Sequence, residues 1–306
     1  MEIRRTDTEA ELAALLEIRN RVYPDDPIAL AEVHGLARQV KEILRLVAWD
    51  GARPVGAAEV GLKFQSPEPF ARIWVPPEER RRGIGSALYR EISTWAARQG
   101  QDVLEVWIED SQPDGLDFAT KRDFSEIGRE LHVSLDLTAI EAPTVEPPEG
   151  ITFITWAERP ELARALYDVA LEASPDIPGD EEDEIEPYED WLAHEMGGQG
   201  DKPEATFIAL AGDEVVGYSK FSLTDAQPKV AHHDLTGVKR AWRRRGIARA
   251  LKQAQIAWAK QAGYERLETR NEERNEPIRR LNEEFGYRPS GARILFRGPV
   301  SAETEI

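Results

Sequence analysis

The sequence predicts an α/β fold of the mixed-sheet, α+β kind, built as two tandem domains, and three observations predict it. Strand-like apolar runs alternate with stretches at helical spacing along most of the chain. A block of about fifty residues occurs twice in one register: Val75 falls on Val238, and the same offset of 163 pairs Arg80 with Arg243, Gly83 with Gly246, Leu88 with Leu251, Trp95 with Trp258, Gly100 with Gly263 and Phe124 with Tyr287. A repeat of that length means two similar domains, not a short-period solenoid. The 306 residues also suit two cores of about 150 residues better than one.

Taken in order, Glu2 to Arg5 reads as a short strand and Glu9 to Arg21 as a helix with Leu12, Leu15, Leu16 and Ile18 near one face. The turn Tyr23-Pro24-Asp25-Asp26-Pro27 leads to a second helix ending near Val40, and Leu44–Trp49 with Pro54–Leu62 form a hairpin around Asp50-Gly51. Phe70–Val75 is a strand, Glu78–Arg82 a turn, and a helix follows Gly83 with Ile84, Leu88, Ile92 and Trp95 on one stripe. A strand at Val103–Ile108, a short helix at Gly115–Lys121 and an alternating strand at Leu131–Leu137 complete the first half. Domains are therefore expected at 1–140 and 150–306, joined by the Pro- and Glu-rich linker 141–149.

The second half repeats the order. Ile151–Thr155 is a strand, Pro160–Leu171 a helix, Thr206–Leu210 with Val215–Leu223 a hairpin, Val230–Val238 and Arg266–Thr269 strands, and Ile294–Arg297 the closing strand before a frayed tail. An acidic insert, Asp176 to Glu189, has no counterpart in the first half.

The chemistry belongs at the repeated turn. Arg80-Arg81-Arg82-Gly83-Ile84-Gly85-Ser86 and Arg243-Arg244-Arg245-Gly246-Ile247-Ala248-Arg249 set small residues and guanidinium groups at a helix start. There the unpartnered amides and the positive end of the dipole favour a phosphate by about 0.3 to 1 kcal/mol before the arginines add charge. Neither turn is a Walker loop or a dinucleotide fingerprint. The pattern Arg-x-x-Gly-x-Gly/Ala after Val-x-Pro or Val-x-Arg resembles motif A of the GCN5-related N-acetyltransferase (GNAT) family. The run Asn275-Glu-Pro-Ile278-Arg-Arg-Leu281-Asn282-Glu-Glu-Phe285-Gly286-Tyr287 resembles the family's second motif, and the tandem arrangement is similar to that of mycothiol synthase-like acetyltransferases.

The resemblance implies acetyl-CoA as acyl donor. It implies that strand amides of Ile73, Trp74 and Val75, and of Thr236, Gly237 and Val238, meet the pantetheine arm and the thioester, with the two turns holding the diphosphate and Asn275 and Asn282 adding contacts. Many family members place a tyrosine four residues before the Gly-aromatic pair to protonate the thiolate; that position holds Ala119 and Asn282 here. Base candidates are His232, His233 and Asp234, with alternation turning His232 and Asp234 to one face and His233 to the other. The first half, with Gln112 for the asparagine and Asp123 for the glycine, is expected to bind the donor but catalyse weakly or not at all.

The formal charge of −18 argues against a nucleic-acid binder and suits a cationic acceptor, which Asp180, Glu181, Glu182 and Asp183 would attract. With no cysteine and five histidines without HExxH spacing, no metal site is expected. No apolar run spans a membrane, so a cytoplasmic monomer or homodimer is expected. The functional expectation is N-acetylation of a primary amine on a small cationic molecule or peptide; the alternative is a non-catalytic acyl-CoA sensor.

Overall fold

The computed structural model describes residues 1–30, 33, 40–63, 68–178, 185–198 and 200–301. They form two compact units, Met1–Arg129 with the residues from Arg293 onward, and Glu130–Ala292.

The first unit holds β1 (Glu2–Arg5), α1 (Glu9–Val22), β2 (Val40–Asp50), β3 (Arg53–Lys63), β4 (Phe70–Trp74), α2 (Ile84–Arg98), β5 (Val103–Glu109) and α3 (Pro113–Thr120). Helix α1 starts at a capping box, in which the Thr8 side chain takes the Glu11 amide while the Glu11 carboxylate takes the Thr8 amide. In α2 the spacing Ile84, Leu88, Ile92, Ala96 puts four side chains on one stripe, each 3% exposed or less. Burying each of the larger ones contributes roughly 2 kcal/mol. Strand β3 carries Gly56 under this helix, where a Cβ would stand 2.6 Å from Ile84 Cγ2.

The second unit receives β6 (Ser125–Asp136) and adds β7 (Ile151–Thr155), α4 (Ala163–Ala173), α5 (Tyr188–Glu195), β8 (Phe207–Ala211), β9 (Glu214–Leu223), β10 (Val230–Val238), α6 (Ile247–Gln261), β11 (Arg266–Glu272) and α7 (Glu276–Glu284). The last strand, β12 (Arg288–Pro299), starts in the second unit and belongs to the first from Arg293.

The units thus exchange their closing strands, which the division at 141–149 does not include. Residues Arg293 to Pro299 run antiparallel to Glu109–Val103 of β5, and residues Glu130 to Asp136 run antiparallel to Glu272–Arg266 of β11. Ile294 and Phe296 enter the core with Leu46, Leu88 and Leu104, while Leu135 and Leu137 enter the core with Ile256, Leu267 and Tyr287. The register of an alternating strand fixes which face is buried, and carries nothing about which sheet edge it completes.

Both sheets are antiparallel except at one place. Strand β4 is parallel to β5 only at Phe70 opposite Glu105, and β10 to β11 only from Val230–His232 opposite Arg266–Glu268. Beyond those pairs the strands part. Each cleft therefore begins where a β-strand loses its neighbour on one edge and runs toward the helix that follows. Among the described residues no helix is long and apolar enough to cross a membrane.

Candidate active sites in the two units

The repeated turn has the same backbone in both units. Arg81 and Arg244 take left-handed φ values of 62° and 61°, and Gly83 and Gly246 take 80° and 82° as N-caps of α2 and α6. A side chain at the second pair would be strained, and only Pro148, 3.7 Å from a Cβ built on Gly246, would crowd either one. Even Asp123 adopts the left-handed conformation of its counterpart Gly286, at φ 61° against 88°, so the second-motif turn survives its substitution.

Arg80 and Arg243 serve the turn itself. Their Nε atoms donate to the carbonyls of Val75 and Val238 at 3.1 and 2.9 Å, tying each turn to the end of its strand. Asp176, at the described start of the acidic insert, bridges Arg240 and Arg243 at 2.6 to 2.8 Å, which holds its carboxyl far below the ordinary range. Asp180, Glu181, Glu182 and Asp183 lie outside the described residues.

The other arginines differ between units. Arg81 meets Asp114 at 2.5 Å, and Arg82 pairs with Asp50 at 2.9 Å and with Glu79. Gly85 lies under the Phe118 ring, 3.2 Å from a built Cβ, and Ser86 Oγ accepts from Arg122, whose guanidinium stacks on that ring at 3.5 Å. In the second unit Arg244 has no side-chain partner among the described residues, Arg245 meets only the Ala241 carbonyl and the Trp242 ring, and Arg249 pairs with Glu284. The second opening offers what a diphosphate needs: the first amides of α6, Gly246 with only ordinary contact to Pro148 above it, and the guanidinium groups of Arg244 and Arg245 without a carboxylate among the described residues, while Arg243 and Arg249 are held by Asp176 and Glu284.

The strands differ too. Between His233 and Thr236 the pairing of β10 with β9 slips by one residue, a bulge that β4 lacks in its pairing with β3. The bulge lifts Asp234 out, with 38% of its side chain exposed, and Lys220 Nζ holds it at 2.8 Å. The same ammonium, buried on β9, reaches Asp201 at 3.1 Å, and burial raises the Asp201 carboxyl against that pull. His232 is partly exposed, its Nδ1 3.8 Å from a Glu268 oxygen.

His233 is a correction to the base candidates. It is buried, with the Phe221 ring 4.8 Å away. Gln255 gives its amide hydrogen to the Lys220 carbonyl at 3.0 Å, so its oxygen accepts from His233 Nδ1 at 3.1 Å, and Nε2 is left to accept from the Tyr287 hydroxyl. Burial, and next the Lys252 charge, hold the imidazole well below its ordinary range, so it stays neutral. A base with both nitrogens engaged in the interior reaches no acceptor amine.

The asparagines are also placed differently than their motif implies. Asn282 is 1% exposed; its amide donates to Asn271 Oδ1 at 2.6 Å and its own oxygen has no partner. Asn275 stands at the N-cap of α7 without a side-chain capping bond. Gln112, its counterpart, instead accepts from Arg80 at 2.9 Å.

Sequence reasoning missed the polar interior of the second unit. Tyr89, Ile92, Phe124 and Phe118 line a cavity of about 320 Å³ in the first unit together with Ile73 and Val106. At the repeat offset, Tyr89, Ile92 and Phe124 become Lys252, Gln255 and Tyr287, and Phe70 becomes His233. Lys252 Nζ lies over the Tyr287 ring at 4.9 Å, and burial lowers its pKa to about 7. Comparison of the two copies for polar residues at apolar core positions would have found all four.

The chain is similar to known proteins in sequence and in fold. A model of the acetyltransferase (GNAT) family matches residues 12–124 and 163–287. A mycothiol acetyltransferase of Rhodococcus erythropolis is 24% identical over 264 residues, 83% of each chain. An aminoglycoside N(6')-acetyltransferase type 1 of Acinetobacter haemolyticus is 32% identical over 98 residues, 29% of this chain and 67% of that one. In fold the chain matches a tandem GNAT protein from the clavulanic acid biosynthesis pathway at a TM-score of 0.78, with 20% identity and 99% of both chains covered. With the family model covering the repeated turn, the parted strands and the second motif in both halves, this chain is a tandem member of the acetyltransferase (GNAT) family.

Proposed function

We propose that the second unit transfers an acetyl group from acetyl-CoA to a primary amine of a small cationic molecule or peptide. The observation that carries this reading is the pairing of a carboxylate-free opening at Arg244, Arg245 and Gly246 with a bulged β10 that has parted from β11. Donor binding falls to the α6 amides, Arg244 and Arg245, with Asn275 at the far rim. Amides of Thr236, Gly237 and Val238 on the unpaired edge face the thioester and the developing oxyanion.

In the transfer the amine nitrogen attacks the thioester carbonyl carbon, a carbon–nitrogen bond forms as the carbon–sulfur bond breaks, and coenzyme A leaves as the thiolate, which takes a proton from water. Asp234, exposed at the bulge and oriented by Lys220, takes the proton that the amine must lose. The family names of the relatives support an amine acceptor, since one is called an aminoglycoside N(6')-acetyltransferase. The acidic run Asp180, Glu181, Glu182 and Asp183 is proposed to draw a cation to the cleft.

The test is release of free thiol from acetyl-CoA with a panel of polyamines and aminoglycosides. Gly246→Glu is expected to abolish turnover while Gly83→Glu leaves most of it; the reverse result moves the active site to the first unit. Asp234→Asn is expected to lower kcat by roughly 10²- to 10⁴-fold. Donor binding without turnover on any amine favours the sensor.

A further inference from the structure

The two openings share the φ values of their turns and differ in which arginines meet carboxylates: Asp114 takes both Arg80 and Arg81 in the first unit, whereas in the second Asp176 takes Arg243 and no carboxylate among the described residues meets Arg244. In the first unit Asp114 sits at the start of α3 and puts one oxygen 3.0 Å from Arg80 Nη1 and the other 2.5 Å from Arg81 Nη2. Asp117, one turn on, stands 3.7 Å from Arg81 Nη1. Both arginines therefore meet an anion supplied by the chain, and Arg82 meets two more in Asp50 and Glu79. Each phosphate oxygen placed there has to displace these carboxylates and lie beside their charge.

At the repeat offset the second unit carries Pro277 where the first has Asp114, and Arg280 where it has Asp117. Pro113 in turn becomes Glu276, so the proline and two acids of the first unit give way to one acid, a proline and an arginine, and Glu276 pairs with Arg280. Arg244, the counterpart of Arg81, is left exposed and unpaired among the described residues. The difference is confined to the side chains, because the left-handed Arg81 and Arg244 and the N-cap glycines superpose in φ within about 2°.

Resting on the reading of the second unit as a donor site, we propose that Asp114 is an internal substitute for the donor's diphosphate, so that the first unit excludes coenzyme A and the chain binds one donor molecule, in its second unit. The proposal sharpens the expectation that the first unit binds without catalysing: it does not bind. The first unit's cavity runs from Ile73, Val106, Phe118 and Phe124 to the turn itself, with Arg80, Arg81, Gly83 and Asp114 in the same lining, so the carboxylate borders the space a diphosphate would enter. The cavity is inherited from the fold, and the carboxylate at its mouth closes it to a polyanion.

Calorimetric titration of the full chain with coenzyme A tests this in four forms. Wild type is expected to bind one equivalent, Gly246→Glu none, and Asp114→Asn two. Asp114→Asn with Gly246→Glu is expected to bind one, at the freed first opening, with an affinity there up to about tenfold above the residual affinity of Gly246→Glu alone. Asp114→Ala serves as a second variant if Asp114→Asn lowers the melting temperature. One equivalent bound by Gly246→Glu, or no gain at the first opening on removing the carboxylate, overturns the proposal. Wild type that binds nothing while Asp114→Asn binds one refutes the donor site in the second unit and leaves the role of Asp114 standing.

Discussion

Arg243 Nε donates to the Val238 carbonyl at 2.9 Å, and Arg80 makes the same bond to Val75 at 3.1 Å in the other unit. The bond fastens the last residue of a strand with no partner on one edge to the turn that precedes the helix. The arginine that opens each motif is therefore a brace for the opening as well as a charge beside it. Arg243→Lys keeps the charge and loses the planar fork. It is expected to cost about 1 to 3 kcal/mol of stability and to weaken coenzyme A binding more than Arg245→Lys does. Thermal unfolding and calorimetry on the two variants check this.

The buried His233 makes the second unit sensitive to acid. Its folded pKa is depressed, so the unfolded chain binds the extra proton below the ordinary value of 6.5, and stability rises with pH through that window and falls as pH drops below it. Replacing His233 by Phe, the residue at Phe70 in the first unit, takes the partner from the Tyr287 hydroxyl and the Gln255 side-chain oxygen and is expected to cost about 1 to 3 kcal/mol at pH 7. The triple change His233→Phe, Gln255→Ile, Tyr287→Phe copies the first unit's own set and is expected to recover most of that loss. Urea unfolding at pH 5 and pH 7 measures both the loss and the missing acid slope.

Lys252 acts with the same sign in a higher pH window. Burial lowers its pKa from 10.5 to about 7, so between those values the unfolded chain holds a proton that the folded chain has released, and stability climbs with pH by up to about 1.4 kcal/mol per unit. Lys252→Met, similar in shape and without the charge, is expected to unfold at a higher temperature than wild type at pH 7 and to show a flat profile up to pH 10. A variant less stable than wild type at pH 7 gives the ammonium a structural part that its surroundings do not suggest.

The exchanged strand β12 ties the last residues of the chain to the first unit. A Cβ at Gly298 would stand 2.2 Å from Phe124, and the Tyr89 hydroxyl donates to the Pro299 carbonyl at 2.5 Å. Gly298→Val is expected to quicken amide hydrogen exchange in β3, β4 and β5 while leaving β8, β9 and β10 protected. Faster exchange in β8 to β10 instead assigns the strand to the wrong unit.

The sequence by itself determined the elements, the twofold plan and the backbone of the openings. Those follow from local chemistry: apolar side chains at helical or alternating spacing choose a face, and Gly83 and Gly246 take the positive φ that the turn before each helix requires. The family motifs lay in the same stretches, so the fold and the place of the cleft could be read from residue order. Only the tertiary structure decided that β6 and β12 change places, that His233 faces inward to Gln255 and Tyr287 while Asp234 is lifted out at a bulge, and that Asp114 meets Arg80 and Arg81. Each of these is a meeting of residues separated along the chain by 20 to more than 100 positions, or a one-residue slip against a neighbouring strand. Periodicity and composition describe what a segment buries; the partner that pairs with it, neutralises it or fills the space above it is set by packing.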